Sequence, residues 1–409
     1  MNKTITVFEH QSLRLGAQDG FGEPQLEALQ RFHAENDFPY YSLIHQGVKF
    51  NEYVGILQVG NLMIEVLPKA DQAQDSERWR RILIGMIRAS GIMDVPAPST
   101  STLKLKPNAL LQLYFERYVS ELEKLLHRGL SKKYRKTEGN LNSVKGRIVF
   151  SKQVRLNLVH QERTYSAYTE FSREHLLHQV LYKALRLLSR INTSSGLQSR
   201  IAGLLLDFPE QKNVKITSAL FNRIFLNRNT QHYRNALEIA RMLLLNYHPD
   251  VSRGNNDVLA ILFDMNLLWE RFVYKTLQRK LPQRREGIHV SAQNRMEFWK
   301  PEGGNAVNMR PDICLQLNDG STLVLDTKWK LFNEKRPHDH DLRQMYVYHT
   351  YFEAERVGMV YPGSGQGISG RYTEPEGRTK ICSLLPIDIE DSMDSWQERI
   401  VEVVAEWMG

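Results

Sequence analysis

Residues 308–348 restrict the fold more than any other part of this 409-residue chain. Two apolar runs rich in Val, Ile and Leu flank an Asn-Asp-Gly cluster at 318–320, which predicts an antiparallel hairpin. If those three residues form the loop, with the glycine in the left-handed conformation, Asp312 lies opposite Asp326 on one face of the sheet. Lys328, two residues further on, shares that face.

Two acids and a lysine in this arrangement suit the hydrolysis of a phosphodiester. Carboxylate oxygens a few ångströms apart can hold Mg2+, or Mn2+, while the substrate phosphate completes the coordination shell. The lysine can lower the pKa of the attacking water or hold charge on the phosphorane oxygens. Asp312 or Lys328 alone would be an ordinary strand terminus, but together with Pro311 and Asp326 they favour a metal-dependent phosphodiesterase. We expect all three groups at the open edge of the site.

These residues resemble the PD-(D/E)XK nuclease superfamily. Pro311-Asp312 matches the PD, and Asp326-Thr327-Lys328 matches the D-x-K. Gln344 and Tyr348 match the Q-x-x-x-Y element of its RecB-like branch. More narrowly, Asp-Thr-Lys-Trp-Lys followed by Asp-x-x-Gln-x-x-x-Tyr is similar to McrC, the nuclease subunit of McrBC modification-dependent restriction systems. The similarity is close over residues 258–362 and looser elsewhere.

The resemblance implies a C-terminal α/β domain of restriction-endonuclease-like fold, with a central mixed sheet flanked by helices. It implies Mg2+-dependent cleavage of double-stranded, modified DNA by a subunit that works with a McrB-like AAA+ GTPase ring. Gln344 and Tyr348 would line the site and orient DNA or the lysine. A dimer of McrC-like subunits in the assembly would supply the two sites that a double-strand cut needs.

A further acid, Glu270, lies in residues 258–281, whose apolar periodicity predicts one amphipathic helix closed by Pro282. The ordinary interpretation of a single helical glutamate is a solvated surface residue. In the nuclease superfamily, however, a helix one element before the hairpin often brings an acid to the metal. Glu270 is therefore a candidate third metal ligand beside Asp312 and Asp326.

Asp341, Gln344 and Tyr348 are spaced i, i+3, i+7, which places them on one face of a helix. Polar decoration with a packed tyrosine is the alternative interpretation. Four cations around this segment are expected to contact phosphate with little specificity: Lys330, Lys335, Arg336 and Arg343.

Residues 128–163 are the most basic part of the chain and contain several glycines, which predicts loops that project cations. Three roles remain open: a solubility surface, phosphate contact, or insertion into an acidic partner surface. The resemblance favours the partner, since the N-terminal part of the McrC family docks into the channel of an AAA+ ring. Residues 141–150 look like the strand that follows this insertion in the family. The candidate contacts are Lys132, Lys133, Arg135, Lys136 and Arg147.

Periodicity and turn signals predict three segments. Residues 1–164 form an α+β partner-binding domain with a strand at 4–8, a helix at 23–36, a hairpin at 53–68 and helices at 76–90 and 108–127. Residues 165–256 form a helical connecting region, with helical periodicity from 169 to 246. Residues 257–409 form the nuclease domain, after a polar break at 246–256.

Several features limit the function. The chain has no G-x-x-x-x-G-K-[ST], so any motor is expected in another subunit. Gly365–Gly370 matches G-x-G-x-x-G without a following helix and is interpreted as a loop between strands. The His338–Asp341 run lacks further ligands at zinc spacing and is interpreted as a polar loop.

Composition indicates a globular cytoplasmic protein. Two cysteines give no disulfide framework, and neither a signal peptide nor a membrane-spanning stretch is recognisable. The formal net charge of +8 is compatible with nucleic-acid binding.

The predicted function is therefore that of a Mg2+-dependent DNA endonuclease subunit in a McrBC-like complex. One alternative is a standalone RecB-like repair nuclease that cuts without an NTPase. Another is a non-catalytic assembly subunit, which the intact Asp312, Asp326 and Lys328 set disfavours. A neighbouring gene for an AAA+ GTPase would separate these functions.

Overall fold

The computed structural model describes residues 3–18, 20–35, 38–69, 75–91, 109–192, 194–248, 257–330, 337–373 and 380–409. The chain is a mixed α/β protein whose residues group into two compact units. The first combines Met1–Leu110 with Pro249–Gly409, and the second is Leu111–His248. In the described residues, no helix is both long enough and apolar enough to cross a membrane.

The N-terminal part of the first unit follows the predicted pattern of strands, helices and a hairpin. Its elements are β1 (Lys3–Phe8), β2 (Ser12–Arg14), α1 (Glu23–Glu35), β3 (Tyr41–Ile44), β4 (Gly47–Phe50), β5 (Tyr53–Val59), β6 (Leu62–Leu67) and α2 (Ser76–Ala89). Strands β5 and β6 form the predicted antiparallel hairpin, in which Val59 pairs with Leu62 across the two-residue loop.

The described part of the second unit is mostly helical, with one small sheet and the two-residue strand β10. Its elements are α3 (Ala109–Arg128), β7 (Lys133–Leu141), β8 (Arg147–Ile148), α4 (Phe150–Asn157), β9 (Thr164–Ser172), α5 (Leu176–Ile191), α6 (Ser195–Asp207), α7 (Ser218–Asn222), a 3-10 helix (Gln231–Tyr233), α8 (Arg234–Leu245) and β10 (Tyr247–His248). The helical periodicity predicted from residue 169 is confirmed for α5, α6 and α8, whereas residues 169–172 belong to β9.

The loops predicted for the basic segment are wrong for much of its length. Strand β7 pairs antiparallel with β9 from Lys133–Ser172 to Leu141–Thr164, and β8 pairs with the other edge of β9. Residues 141–150, predicted as a strand, contain only the end of β7, the two-residue β8 and the start of α4. Charge and glycine content suggested irregular backbone, but β9 supplies the hydrogen bonds that make this segment a strand.

The C-terminal part of the first unit contains most of its strands. Its elements are β11 (Val258–Asp264), α9 (Met265–Arg284), β12 (His289–Ala292), β13 (Met296–Trp299), β14 (Val307–Met309), β15 (Ile313–Gln316), β16 (Thr322–Thr327), α10 (Asp339–Tyr351), β17 (Arg356–Pro362), β18 (Ile368–Arg371), β19 (Ile381–Ile387) and α11 (Met393–Met408).

The single helix predicted for residues 258–281 is wrong over its first seven residues. Strand β11 pairs antiparallel with β5, from Val258–Val59 to Asp264–Tyr53. The Asp264 carboxylate then caps α9 by accepting hydrogen bonds from two backbone amides at 2.8 and 3.1 Å. Pro282 lies inside the last turn of α9 rather than ending it. This pairing joins residues 1–110 to the C-terminal part, so the compact units divide the chain differently from the three predicted segments.

Two smaller interpretations also change. Residues 368–371 pair with β19 as strand β18, so the loop predicted over Gly365–Gly370 is partly a strand. Most of the polar stretch predicted to follow this motif, residues 374–379, lies outside the described residues. Helix α10 begins at Asp339, so the His338–Asp341 run forms a helix start instead of a loop.

A six-stranded sheet, in the order β12-β15-β16-β17-β19-β18, positions the predicted catalytic residues. Strands β16, β17 and β19 are parallel, and the other pairs are antiparallel. Helix α10 packs on one face, against side chains that include Val324 and Met359. Helix α9 contacts β16 from the opposite face, where Trp269 donates a hydrogen bond to the Val360 carbonyl at 3.3 Å. Successive residues of β16 therefore point alternately toward α10 and toward α9.

Candidate active site

The candidate active site lies where β15 begins and β16 ends. The predicted hairpin is confirmed, because Ile313 pairs with Leu325 and the next step of that register places Asp312 opposite Asp326. Gly320 adopts φ 87° in the three-residue loop at the other end. The alternation of apolar side chains thus brings the two acids together, as the sequence predicts.

Asp312 is held by the strand that it faces. Its Oδ2 accepts hydrogen bonds from the amide and the hydroxyl of Thr327, at 2.7 and 2.8 Å. Its Oδ1 makes no hydrogen bond with the described residues. Burial raises the pKa of Asp312, while the Thr327 hydrogen bonds oppose that rise. One oxygen therefore anchors the side chain, and the other remains available to a ligand.

Asp326 is the most deeply buried acid of the site, with 2% of its surface exposed. Its Oδ1 accepts a hydrogen bond from Gln344 Nε2 at 3.2 Å. Lys328 Nζ lies 2.9 Å from Oδ2 as an ion pair, without the alignment of a hydrogen bond. Burial, and after it the charge of Asp312, raises the pKa of Asp326 to about 7. The expectation that this acid lies at the open edge of the site is wrong.

The Lys328 ammonium group is surrounded by acceptors. Besides the contact with Asp326, it donates to Gln344 Oε1 at 3.0 Å and lies 3.3 Å from Asp341 Oδ1. Burial favours the neutral amine, but the carboxylates of Asp326 and Asp341 outweigh it and raise the pKa of Lys328. Lys328 is therefore a cation at neutral pH, able to donate hydrogen bonds and stabilise negative charge but not to act as a base.

Helix α10 brings its predicted polar face to the sheet. Gln344 Nε2 also donates to the Tyr348 hydroxyl at 2.8 Å. That hydroxyl donates to the Arg310 carbonyl at 3.2 Å, which steadies the chain leading into Asp312. Gln344 thus contacts both an acid and the lysine, whereas Tyr348 is buried and acts on the backbone.

Asp341 fixes the outer side of this network. Burial opposes its ionisation, but the ammonium groups of Lys328 and Lys330 hold the pKa of Asp341 below its usual range. Lys330 Nζ lies 3.3 Å from Asp341 Oδ2. Of the other cations predicted near this helix, Arg343 lies on α10, and Lys335 and Arg336 lie outside the described residues.

Glu270 lies on α9, and its Oε1 accepts a hydrogen bond from Gln293 Nε2 at 2.9 Å. Burial, and after it the charge of Asp312, raises the pKa of Glu270, which places the two acids within electrostatic reach of each other. Among the described residues, however, no group of three His, Cys, Asp or Glu side chains is arranged to hold a metal ion. A role for Glu270 as third ligand stays a prediction.

Asp312 and Asp326 nevertheless fit a hard divalent cation. Asp326 is buried and Asp312 is half-buried. Asp312 Oδ1 has no hydrogen bond from the described residues, and Asp326 Oδ2 contacts the Lys328 ammonium group as an ion pair. Hard cations such as Mg2+ prefer oxygen ligands, and they would relieve the repulsion between two neighbouring acids.

Sequence reasoning missed Gln293 and Thr327. Gln293 occupies the left-handed region at φ 58°, which is strained for a residue with a side chain. Its amide N–H donates to the Asp312 carbonyl at 3.3 Å, while its side chain contacts Glu270. Gln293 thereby links α9 to the strand that carries Asp312. Thr327 was visible only as the middle letter of D-x-K, and no sequence pattern marks Gln293.

The five cations predicted to contact a partner or DNA belong to the second unit. Alternation along β7 places Lys133 and Arg135 on one face and Lys136 on the other. Arg135 forms an ion pair with Glu174 at 2.5 Å. Lys132 Nζ lies 5.7 Å from the centre of the Phe171 ring, and Arg147 begins β8. The sheet divides these cations between its faces instead of presenting one patch.

Comparison with known proteins bears on the family. The family model described as "McrBC 5-methylcytosine restriction system component" matches residues 48–362. The chain is 21% identical over 271 residues to the type IV methyl-directed restriction enzyme EcoKMcrBC of Escherichia coli (strain K12), covering 61% of this chain and 75% of that protein.

Two solved structures share the fold. A chain of the half-complex from the tetradecameric assembly of Thermococcus gammatolerans McrB AAA+ hexamers with bound McrC superposes with a TM-score of 0.71. It is 19% identical, and the match covers 99% of this chain and 100% of that one. A chain of the Thermococcus gammatolerans McrBC complex, determined by cryo-electron microscopy, gives a TM-score of 0.52 at 22% identity over 68% of this chain and 88% of that one.

The crowding of acids predicts that Asp312→Asn stabilises the metal-free protein. Asparagine can keep its oxygen toward Thr327 and so retain both hydrogen bonds, while it removes a charge that raises the pKa of Asp326 and of Glu270. We expect the free energy of unfolding at pH 8 in EDTA to rise by about 1 kcal/mol or more. Chemical denaturation of both proteins measures this, and a less stable variant would contradict the electrostatic account.

Proposed function

The chain belongs to the family of McrBC 5-methylcytosine restriction system components, and from this premise we propose that it is the nuclease subunit of such a system. It hydrolyses DNA phosphodiesters with the help of Mg2+, in complex with an AAA+ GTPase ring. The observation that carries this proposal is the pairing of Asp312 with Asp326 at the end of the β15–β16 hairpin, with the Lys328 ammonium 2.9 Å from Asp326.

A PD-(D/E)XK fold for the C-terminal part is supported by the order of its elements. An acid-bearing strand is followed by the D-x-K strand, then by a helix that returns to the same site, and then by a parallel strand beside β16. Glu270 approaches from α9, the element before this hairpin in contact with β16. Fold analogy sets the expectation, while the assignment of chemistry rests on the site residues.

The proposed chemistry divides roles among these side chains. Asp312 and Asp326 would hold Mg2+, with Glu270 as a further candidate. Such a cation supplies Lewis acidity toward the phosphate when bound. Lys328 remains protonated, so it donates a hydrogen bond to the attacking water or to a phosphorane oxygen and stabilises the developing charge. Gln344 accepts a hydrogen bond from the Lys328 ammonium group and keeps it directed at Asp326.

A partner ring would contact the second unit. The related assembly from Thermococcus gammatolerans combines McrB AAA+ hexamers with bound McrC, and this chain has no P-loop of its own. Around the β7–β9–β8 sheet, helix α4 and the following residues expose apolar side chains at one-turn spacing, with Phe150, Val154 and Leu158 all more than half exposed. Exposed apolar side chains next to cations favour a protein partner over a purely solvated surface.

Asp326→Ala and Lys328→Ala are expected to reduce DNA cleavage by about 100- to 1,000-fold or more, since each removes charge that acts on the transition state. Cleavage is measured with the ring present, and folding is checked by circular dichroism because Asp326 is buried. Asp319→Ala is the matched control, since this exposed acid lies at the loop end of the same hairpin. Wild-type cleavage by Asp326→Ala would refute the assignment.

Metal dependence should follow from the two neighbouring carboxylates of Asp312 and Asp326. Mg2+ and Mn2+ are expected to support cleavage, while Ca2+ binds without efficient turnover because it tolerates irregular coordination. The measurement is the cleavage rate after dialysis against EDTA and addition of each ion. Full activity in excess EDTA is incompatible with this site.

The cations of the second unit are expected to act on the partner. Neutralising Lys132, Lys133, Arg135 and Lys136 together should weaken complex formation or stimulation of GTP hydrolysis by the ring, because a charged surface steers and orients its partner. The metal site should retain its function. The matched control neutralises four exposed arginines of the same unit that lie outside its strands: Arg186, Arg190, Arg223 and Arg228. Unchanged stimulation together with lost DNA affinity would assign the segment to direct DNA binding.

A further inference from the structure

Glu9, the residue after β1, is a buried acid far in sequence from the proposed catalytic residues. Only 2% of its surface is exposed. Its Oε1 accepts hydrogen bonds from the Lys69 amide at 2.7 Å and from the Trp329 indole Nε1 at 2.8 Å. Its Oε2 has no hydrogen-bond partner among the described residues. Both interactions therefore converge on one oxygen.

This arrangement lowers the stability of the folded protein. Burial of a carboxyl group with an unsatisfied oxygen costs free energy, and here burial raises the pKa of Glu9 to about 7. The two hydrogen bonds from Lys69 and Trp329 oppose that rise without cancelling it. A neutral side chain would fill the same position at lower cost, so stability does not account for an acid here.

The indole that Glu9 holds belongs to the residue next to Lys328. Because side chains alternate along an extended chain, Trp329 points away from Lys328 and into the core. There its ring lies 5.6 Å from the Trp269 ring and 6.4 Å from the Trp79 ring. The Lys328 amide donates to the Val360 carbonyl of β17 at 2.9 Å, and the Lys328 carbonyl accepts from the Lys330 amide at 3.0 Å.

Aromatic packing and hydrogen bonding make different contributions at Trp329. Ring contacts fill volume but tolerate rotation and sliding, whereas a hydrogen bond to an indole N–H fixes direction. In the described residues, Glu9 provides the one hydrogen bond to this ring. The acceptors around Nζ fix the ammonium end of the Lys328 side chain. Glu9 acts on the backbone of Lys328 through the neighbouring Trp329.

We propose that Glu9 is a positioning residue for Lys328, acting through the Trp329 indole, so that the N-terminal strand β1 helps to set the geometry of the active site. The inference rests on the proposed phosphodiester cleavage. Among the described residues, Glu9 has no hydrogen bond with Asp312, Asp326 or Glu270, and its contribution is the hydrogen bond to Trp329 rather than its charge.

Four variants test this role in the complex with the cognate ring: Glu9→Leu, Glu9→Gln, Trp329→Phe and the double variant Glu9→Leu/Trp329→Phe. A displacement of the lysine by a fraction of an ångström is expected to lower kcat by about 10- to 100-fold while KM for DNA stays unchanged. Glu9→Gln should stay within about 2-fold of wild type, because its amide oxygen can accept both hydrogen bonds. Trp329→Phe removes the donor and should match Glu9→Leu, with no further loss in the double variant.

Tyr41→Phe controls for a general loss of stability. It removes another buried hydrogen bond of the same compact unit, from the Tyr41 hydroxyl to the Leu29 carbonyl at 2.8 Å. It should lower Tm without lowering kcat at a temperature where the protein is folded. If Glu9→Leu does not fold, comparing kcat of Trp329→Phe with kcat of Glu9→Gln tests the same hydrogen bond.

A wild-type kcat in Glu9→Leu or in Trp329→Phe would overturn the proposal, as would a kcat in Glu9→Gln as low as in Glu9→Leu. It would also be overturned if the two losses of kcat multiplied in the double variant, or if Tyr41→Phe lowered kcat to the same extent. Wild type and Asp326→Ala are assayed beside them. Inactive wild type, or an active Asp326→Ala, would refute the proposed nuclease activity and with it the role of Glu9. If wild type cleaves DNA and Asp326→Ala does not, a failed prediction for the Glu9 variants counts against the role of Glu9 alone.

Discussion

The rest of this site depends on the contacts between the Lys328 ammonium group and its acceptors. The ammonium group lets Asp326 and Asp341 lie buried beside each other, and it draws Gln344 of α10 toward the end of β16. A lone buried carboxylate would protonate or destabilise the fold, whereas a shared cation spreads the cost over several partners. Helix α10, strand β16 and the start of β15 are therefore assembled around one charge. Their relative positions follow from electrostatics as much as from apolar packing.

The sequence predicted those parts of the site that depend on short-range pattern. Alternation on both sides of an Asn-Asp-Gly loop was enough to place Asp312 opposite Asp326, since hairpin register depends on loop length and pleat. The i, i+3, i+7 spacing likewise placed Asp341, Gln344 and Tyr348 on one helix face, whereas the position of Gln344 near Lys328 was implied only by the family resemblance. In both cases fewer than twenty positions separate the residues, so the regular geometry of a hairpin or a helix determines their relative positions.

The errors arise where the deciding partner is remote. An apolar run such as Val258–Phe263 fits a buried strand or a helix equally well, and only β5, some two hundred residues earlier, makes it a strand. Basic residues in β7 obscured a strand that β9 completes. The sequence identified Glu270 as a candidate but could not predict its contact with Gln293, because tertiary contacts impose the left-handed backbone at Gln293. Tertiary partners outweigh local propensity at each of these places.

The pairing of β5 with β11 means that the covalent order of this chain is a poor guide to where it can be cut. A fragment beginning at residue 257 would present β11 as a bare edge strand, prone to pair with other molecules, and would lack the acid beneath Trp329. Removing 111–248 and rejoining the ends would instead keep the β5–β11 pair and the hydrogen bond between Trp329 and Glu9. Minimal versions of the protein are therefore better sought by excision from the middle than by trimming from the front.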